Sequence, residues 1–181
     1  MKAMLLVVAA VLAVGTIAIL GTGVSVYNTC IGMEAGIEAQ YKQNQNNYDN
    51  FFKSVVETAQ VTDKYAADLK KVFDGAMTGR YGSGGSKATW AWLQENNPKL
   101  DASLYTKIQQ IIESGRANFE TNQKLLIDKK QVYQVHISEF PGNLYARVLG
   151  FPKLNLSKYD IVTSNETTEA FETKKSAPLK F

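Results

Sequence analysis

Apolar residues run almost unbroken over positions 4–20, and no charged side chain stands anywhere in positions 3–33. About 20 such residues, rising roughly 1.5 Å each, match a hydrocarbon layer about 30 Å thick. A helix is the local fold that satisfies its own backbone in that layer. The pattern therefore predicts a transmembrane anchor over residues 1–26, with Tyr27 where interfacial aromatics collect. A cleaved signal peptide is the rival reading, with Lys2 as its basic head and residues 4–14 as its apolar core. The uncharged stretch is longer than such peptides usually are, and no convincing small-x-small cleavage site precedes a polar start. A retained anchor is preferred.

Beyond the anchor the pattern becomes a seven-residue repeat. Tyr41, Tyr48, Val55, Thr62 and Leu69 form one row, and Phe51, Thr58, Tyr65 and Val72 form another, offset by three. With no proline between them, they predict one long helix over about 27–73. Phe51, Phe52, Val55, Val56 and Ala59 make its apolar arc wider than a two-residue seam, so one partner helix would leave part of it wet. Four glycines in the run GRYGSGGS (79–86) then break the helix. A short helix over 88–95 carries Trp90 and Trp92 and stops at Asn96-Asn97-Pro98. Asp101 is placed to cap a second long helix reaching about position 140. Its row is Tyr105, Ile112, Phe119, Leu126, Tyr133 and Phe140, six large residues in register that need a covering partner. Pro141-Gly142 stops it, and residues 144–149 can add a last short helix ending at Gly150. The expected class is all-α: one N-terminal membrane helix continuing into long packed helices over 27–152, then an extended or disordered tail over 153–181.

Candidate chemistry is sparse. The glycine run lacks the closing Gly-Lys-Ser/Thr of a phosphate loop. His136 is the single histidine and sits beside the apolar row, with no nucleophile placed against it. One histidine does not seed a zinc site. Glu34 and Glu38 share a helical face, but a di-metal bundle would also need Glu-x-x-His, and Tyr133 occupies the position three before His136. Cys30 is the lone cysteine, so no internal disulfide forms; it reads as a small apolar residue at the membrane edge. Neither catalytic residues nor a cofactor or metal are expected.

Charge adds little. The 181 residues carry a formal net charge of +3 with no basic stripe, which argues against nucleic acid as a partner. Lys2 ahead of the span and Glu34 and Glu38 behind it favour the bulk of the chain outside the cytoplasm. Gly32 and Gly36 form a GxxxG pair beyond the apolar core, a spacing that lets helices approach closely.

Several residues at the two ends of the domain resemble the LemA family of bacterial membrane proteins. They are Tyr27-Asn28 after the anchor, then Tyr48-Asp49 with Val55, Val56, Glu57 and Thr58. At the far end they are Tyr133, Phe140-Pro141-Gly142-Asn143, Ala146 and Gly150-Phe151. The likeness covers about residues 1–152, and its most specific part is the Phe-Pro-x-Asn…Ala…Gly-Phe stretch. Lys53 stands where that family usually has proline, and the glycine run and tryptophan segment depart from its pattern, as in a divergent, phage-encoded member. The resemblance implies an anchored antiparallel bundle of three or four helices in a bacterial-type inner membrane, and carries over no catalytic residues.

The functional expectation is a non-enzymatic, membrane-anchored scaffold, in contact with membrane lipid, that forms homo-oligomers. Its packing residues would be Tyr41, Tyr48, Phe51, Phe52 and Val55 on the first long helix and the row from Tyr105 to Phe140 on the second, with close contact at Gly32 and Gly36. The alternative is a membrane-tethered adaptor or sensor that binds a different, unidentified protein through the bundle or the tail.

Overall fold

The computed structural model describes residues 1–60, 63–77, 85–96, 102–163, 168 and 171–174. The fold is all-α, and the described residues contain no strand. Among the described residues the main helices are α1 (Lys2–Thr58), α2 (Asp63–Met77), α3 (Gly85–Asn96), α4 (Ala102–Ser138) and α5 (Gly142–Leu149). A 3-10 turn, Leu156–Tyr159, follows α5. The chain forms two compact units, Met1–Gln40 with Leu126–Asp160 and Tyr41–Leu125 with Ile161–Phe181.

In the second unit, Val55 and Ala59 of α1, Leu69 and Phe73 of α2, Leu93 of α3 and Ile108 and Ile112 of α4 form one buried cluster. The expected 27–73 helix is interrupted here. α1 ends at Thr58, and Gln60 adopts a left-handed conformation (φ 50°) before α2 begins. Gln is an unusual residue for a position that glycine or asparagine normally fills, so no local stop signal marks the break. What supports it is packing: α2 returns on α1, and Leu69 and Phe73 come to rest against Val55 and Ala59.

The aromatic face of α1 is covered by this return. Phe73 lies 5.8 Å from Tyr48 and 5.6 Å from Phe52, centroid to centroid, and Tyr48 lies 5.4 Å from Phe119 of α4. These separations are those of favourable tilted aromatic pairs. The Tyr48 hydroxyl donates to Asp74 at 2.7 Å, and Lys70 lies over the Tyr48 and Phe52 rings. Burial and the Asp74 bond both push the Tyr48 phenol pKa up. Trp92 of α3 packs on the same cluster. The Asn44 side chain donates to the Asn122 carbonyl, and Phe51 lies against Gly115, where an added Cβ would stand 3.2 Å from its ring. Ascending α1 from Asn44 through Tyr48 to Phe51 thus meets α4 in descending order, an antiparallel pairing.

In the first unit α1 and α4 again pair antiparallel, with Glu34 on Tyr133 and Gly36 near Lys129. Val26, Cys30, Ile37, Leu126, Tyr133 and Ala146 are buried. After α4 the chain turns through Phe140-Pro141, a cis bond, into α5, which ends on left-handed Gly150. That short helix and its glycine stop match the pattern of the sequence. Gly142 is required at the turn, because a Cβ there would sit 1.9 Å from the His136 carbonyl oxygen.

Candidate functional site

The most organised polar group in the first unit centres on Glu34, the first charged residue after the long uncharged stretch. It is 7% exposed, and one carboxylate oxygen accepts three hydrogen bonds. The Tyr133 hydroxyl donates at 2.5 Å, the Lys153 backbone N–H at 2.8 Å and the Leu154 N–H at 3.2 Å. A buried carboxylate is tolerated only when its desolvation is offset in this way. Burial, then the bond to Glu34, raise the pKa of the Tyr133 phenol.

The same carboxylate fastens the segment that follows α5. The Lys153 ammonium lies 4.3 Å from the Tyr27 ring centroid and 4.8 Å from that of Phe151, and it donates to the Tyr27 hydroxyl at 3.2 Å. Tyr27 and Phe151 meet edge to face at 5.7 Å. Further on, Lys130 of α4 donates to the Tyr159 carbonyl and pairs with Asp160. Residues 153–160, expected in the extended tail, are therefore bound to α1 and α4. Their composition resembles a loop because the partners that fix them lie more than 100 positions upstream, at Glu34, or on α4. Asn155 adds a local element by accepting from the Ser157 N–H at the start of the 3-10 turn.

Cys30 is fully buried, and burial followed by the charge of Glu34 raises its thiol pKa. A thiol so placed is a packing residue and a poor nucleophile. It is also inaccessible to crosslinking from a neighbouring chain. His136 stands one turn after Tyr133; its Nε2 is buried and accepts or donates no hydrogen bond among the described residues. Among the described residues no three of His, Cys, Asp and Glu gather as metal ligands do. The bonds to Glu34 hold α4 and the 153–154 segment to α1.

The expected packing residues fall into three groups. Val55, Ile112, Leu126 and Tyr133 are buried, while Tyr41, Tyr48, Phe51, Phe52 and Phe119 are half-buried. Phe140 is 82% exposed in this chain, because α4 ends at Ser138 and the following turn takes it out of register. The Tyr105 side chain lies outside the described residues, as do Thr62, Trp90, Asp101 and most of the glycine run. Of the proposed contact pair, Gly32 faces open space, whereas Gly36 has the Lys129 ammonium 3.8 Å from where a Cβ would be. Glu34 was legible only as half of an acidic pair; its 3–4 spacing from Cys30 and Ile37 would have placed it on the buried face.

The apolar part of α1 has the opposite character. Most large side chains from Met4 to Leu20 are at least half exposed, and the stretch has a mean hydropathy of 2.8 over its best 18-residue window. Its two threonines return their hydroxyls to the helix, Thr16 to the Leu12 carbonyl and Thr22 to that of Ala18, both at 2.9 Å. The helix is long and apolar enough to cross a membrane.

Comparison with protein-family models, curated proteins and solved structures gave no match.

Proposed function

We propose that the protein is a single-pass membrane-tethered helical module that acts by binding rather than by catalysis. The observation that carries the anchor is a bare apolar surface on the first twenty residues of α1, in a helix whose later turns are covered by α4. Exposing that much contiguous apolar surface to water is costly, and lipid is the environment in which it is stable. Self-satisfied threonines fit the same medium. The LemA resemblance of the residues around Tyr27 and Phe140-Pro141-Gly142 supports the same plan, and Lys2 ahead of the span favours an outward-facing bulk.

Between the two modes of binding, the geometry favours the tethering adaptor over the self-associating scaffold. The scaffold reading drew on an apolar arc left partly wet on the first long helix. In the structure Val55 and Ala59 are buried and Phe51, Phe52 and Val56 pack on the core of the same chain. Contacts within one chain therefore cover much of that arc, which supports the adaptor reading. Mass measurement of the full chain in mild detergent and in lipid nanodiscs tests this: a monomer is expected, and a homogeneous oligomer at micromolar concentration would restore the scaffold. Retention of Met1 by intact mass, with resistance to alkaline extraction, tests the anchor.

A further inference from the structure

α5 is only eight residues long, and its exposed side is divided. Gly142 and Ala146 are buried. Asn143 and Arg147, one turn apart, make an exposed polar strip. Next to it run Leu144 at 57% and Val148 at 78% exposure, and Phe140, just ahead of the helix, extends the row one turn back at 82%. A helix on the surface of a water-soluble domain would place polar residues at those positions.

The row is not isolated. Leu144, Val148 and Phe140 line an open groove of about 650 Å³ together with Ala18, Ile19 and Thr22 of α1. A second groove of about 410 Å³ continues along Leu20, Gly23 and Val24. Tyr145 fixes α5 at this height, donating its hydroxyl to the Ile19 carbonyl at 2.9 Å and lying against Gly23, where a Cβ would come within 3.1 Å of its ring. Ile19, Leu20 and Val24 are themselves more than 60% exposed. The apolar surface of the anchor and that of α5 are therefore one continuous patch.

The height of the contact sets its depth. A span that begins just after Lys2 and needs about 20 residues to cross about 30 Å leaves the hydrocarbon near position 23. Positions 18–23 then occupy roughly the last 8 Å of it, at about 1.5 Å per residue. We infer that α5 is a second membrane-contacting element: it lies along the interface beside the anchor, with Phe140, Leu144 and Val148 among the acyl chains and Asn143 and Arg147 toward headgroups and water. This rests on the anchor reading. An amphipathic helix with one apolar strip and a flanking basic residue is suited to that position. The occupant is lipid because the patch is continuous with a surface that only lipid covers, and the grooves are lined almost wholly by apolar side chains.

Site-directed nitroxide labels on the full chain in phosphatidylcholine–phosphatidylglycerol vesicles test the inference. Single cysteines are placed at positions 12, 143, 144, 147 and 148 in a Cys30→Ala background, and also with Cys30 retained, since its buried thiol resists labelling. Each exposed position tolerates a label without disturbing the core. Oxygen accessibility should exceed that of a water-soluble nickel chelate several-fold at 144 and 148, as at the Leu12 control, and the order should reverse at 143 and 147. Nickel access at 144 and 148 equal to that at 143, with Leu12 still lipid-exposed, overturns the inference and leaves the anchor standing. Nickel access at Leu12 itself overturns both. Dipolar broadening at 144 or 148 would assign the ridge to a second copy of the chain and also overturn it.

Discussion

Replacing Tyr133 by Phe removes one oxygen from a buried site and leaves the ring that fills it. The hydroxyl donates to Glu34 at 2.5 Å inside a unit where Tyr133 is fully buried. A hydrogen bond to a charged group contributes about 1.5–3 kcal/mol. The carboxylate keeps the Lys153 and Leu154 amides as donors, so it is not stranded, and the expected loss is about 2 kcal/mol. For a chain of this size that lowers Tm by roughly 4–8 °C. Glu34→Leu should cost more, because it strands the buried Tyr133 hydroxyl as well as two backbone amides, each at about 1–3 kcal/mol. In the double variant the stranded hydroxyl is gone, so the two losses should not add, with a coupling of at least about 1 kcal/mol. Thermal unfolding followed by circular dichroism in one mild detergent reads all four proteins. An unchanged Tm for Tyr133→Phe, or strict additivity, would refute the account of Glu34 as the acceptor that holds α4 and the 153–154 segment to α1. The same bond has a pH signature. The folded phenols of Tyr133 and Tyr48 are both raised above their ordinary value, so the fold retains protons that the unfolded chain releases. Their stabilisation is complete below about pH 10, the ordinary phenol value, and is lost as the pH rises through the raised folded values. Tyr133→Phe should reduce that alkaline slope.

Leu126→Ala, at a fully buried position, should cost about 2–5 kcal/mol, whereas Phe119→Ala, half-buried against Tyr48, should cost less; equal or absent shifts in Tm would contradict the packing. Gly142→Ala brings a Cβ onto the His136 carbonyl and should destabilise by about 1–3 kcal/mol, the usual cost of overpacking, with α5 the first element to lose protection in hydrogen exchange; a wild-type melt would show that the turn is looser than described. Cys30 should react with a maleimide only after denaturation, because it is buried and its pKa is raised; rapid labelling of the folded protein would place the thiol at the surface.

What the sequence determined by itself were features that arise from neighbouring residues. An uncharged apolar run makes a long bare helix whatever follows it. The recurrence of Ile112, Leu126 and Tyr133 at multiples of seven puts them on one side of α4, and that side is the buried one. Pro141-Gly142 ends a helix by removing a donor and allowing a close backbone approach, and Gly150 ends the next because it accepts a left-handed conformation. The tertiary structure decided whatever depends on a partner far away in the chain. Nothing local marks the break after Thr58; it exists because Leu69 and Phe73 gain burial against Val55 and Ala59. The aromatic arc of α1 is wide because α2 covers part of it, a partner that periodicity alone does not name. Phe140 continues the seven-residue row but leaves the core, since a row has meaning only while the helix lasts, and α4 has already ended. Glu34 and residues 153–160 show the same dependence most plainly: an acidic residue and a polar tail each look solvated until the fold brings the donors of one to the acceptor of the other, and only then is burying the charge less costly than leaving the segment free.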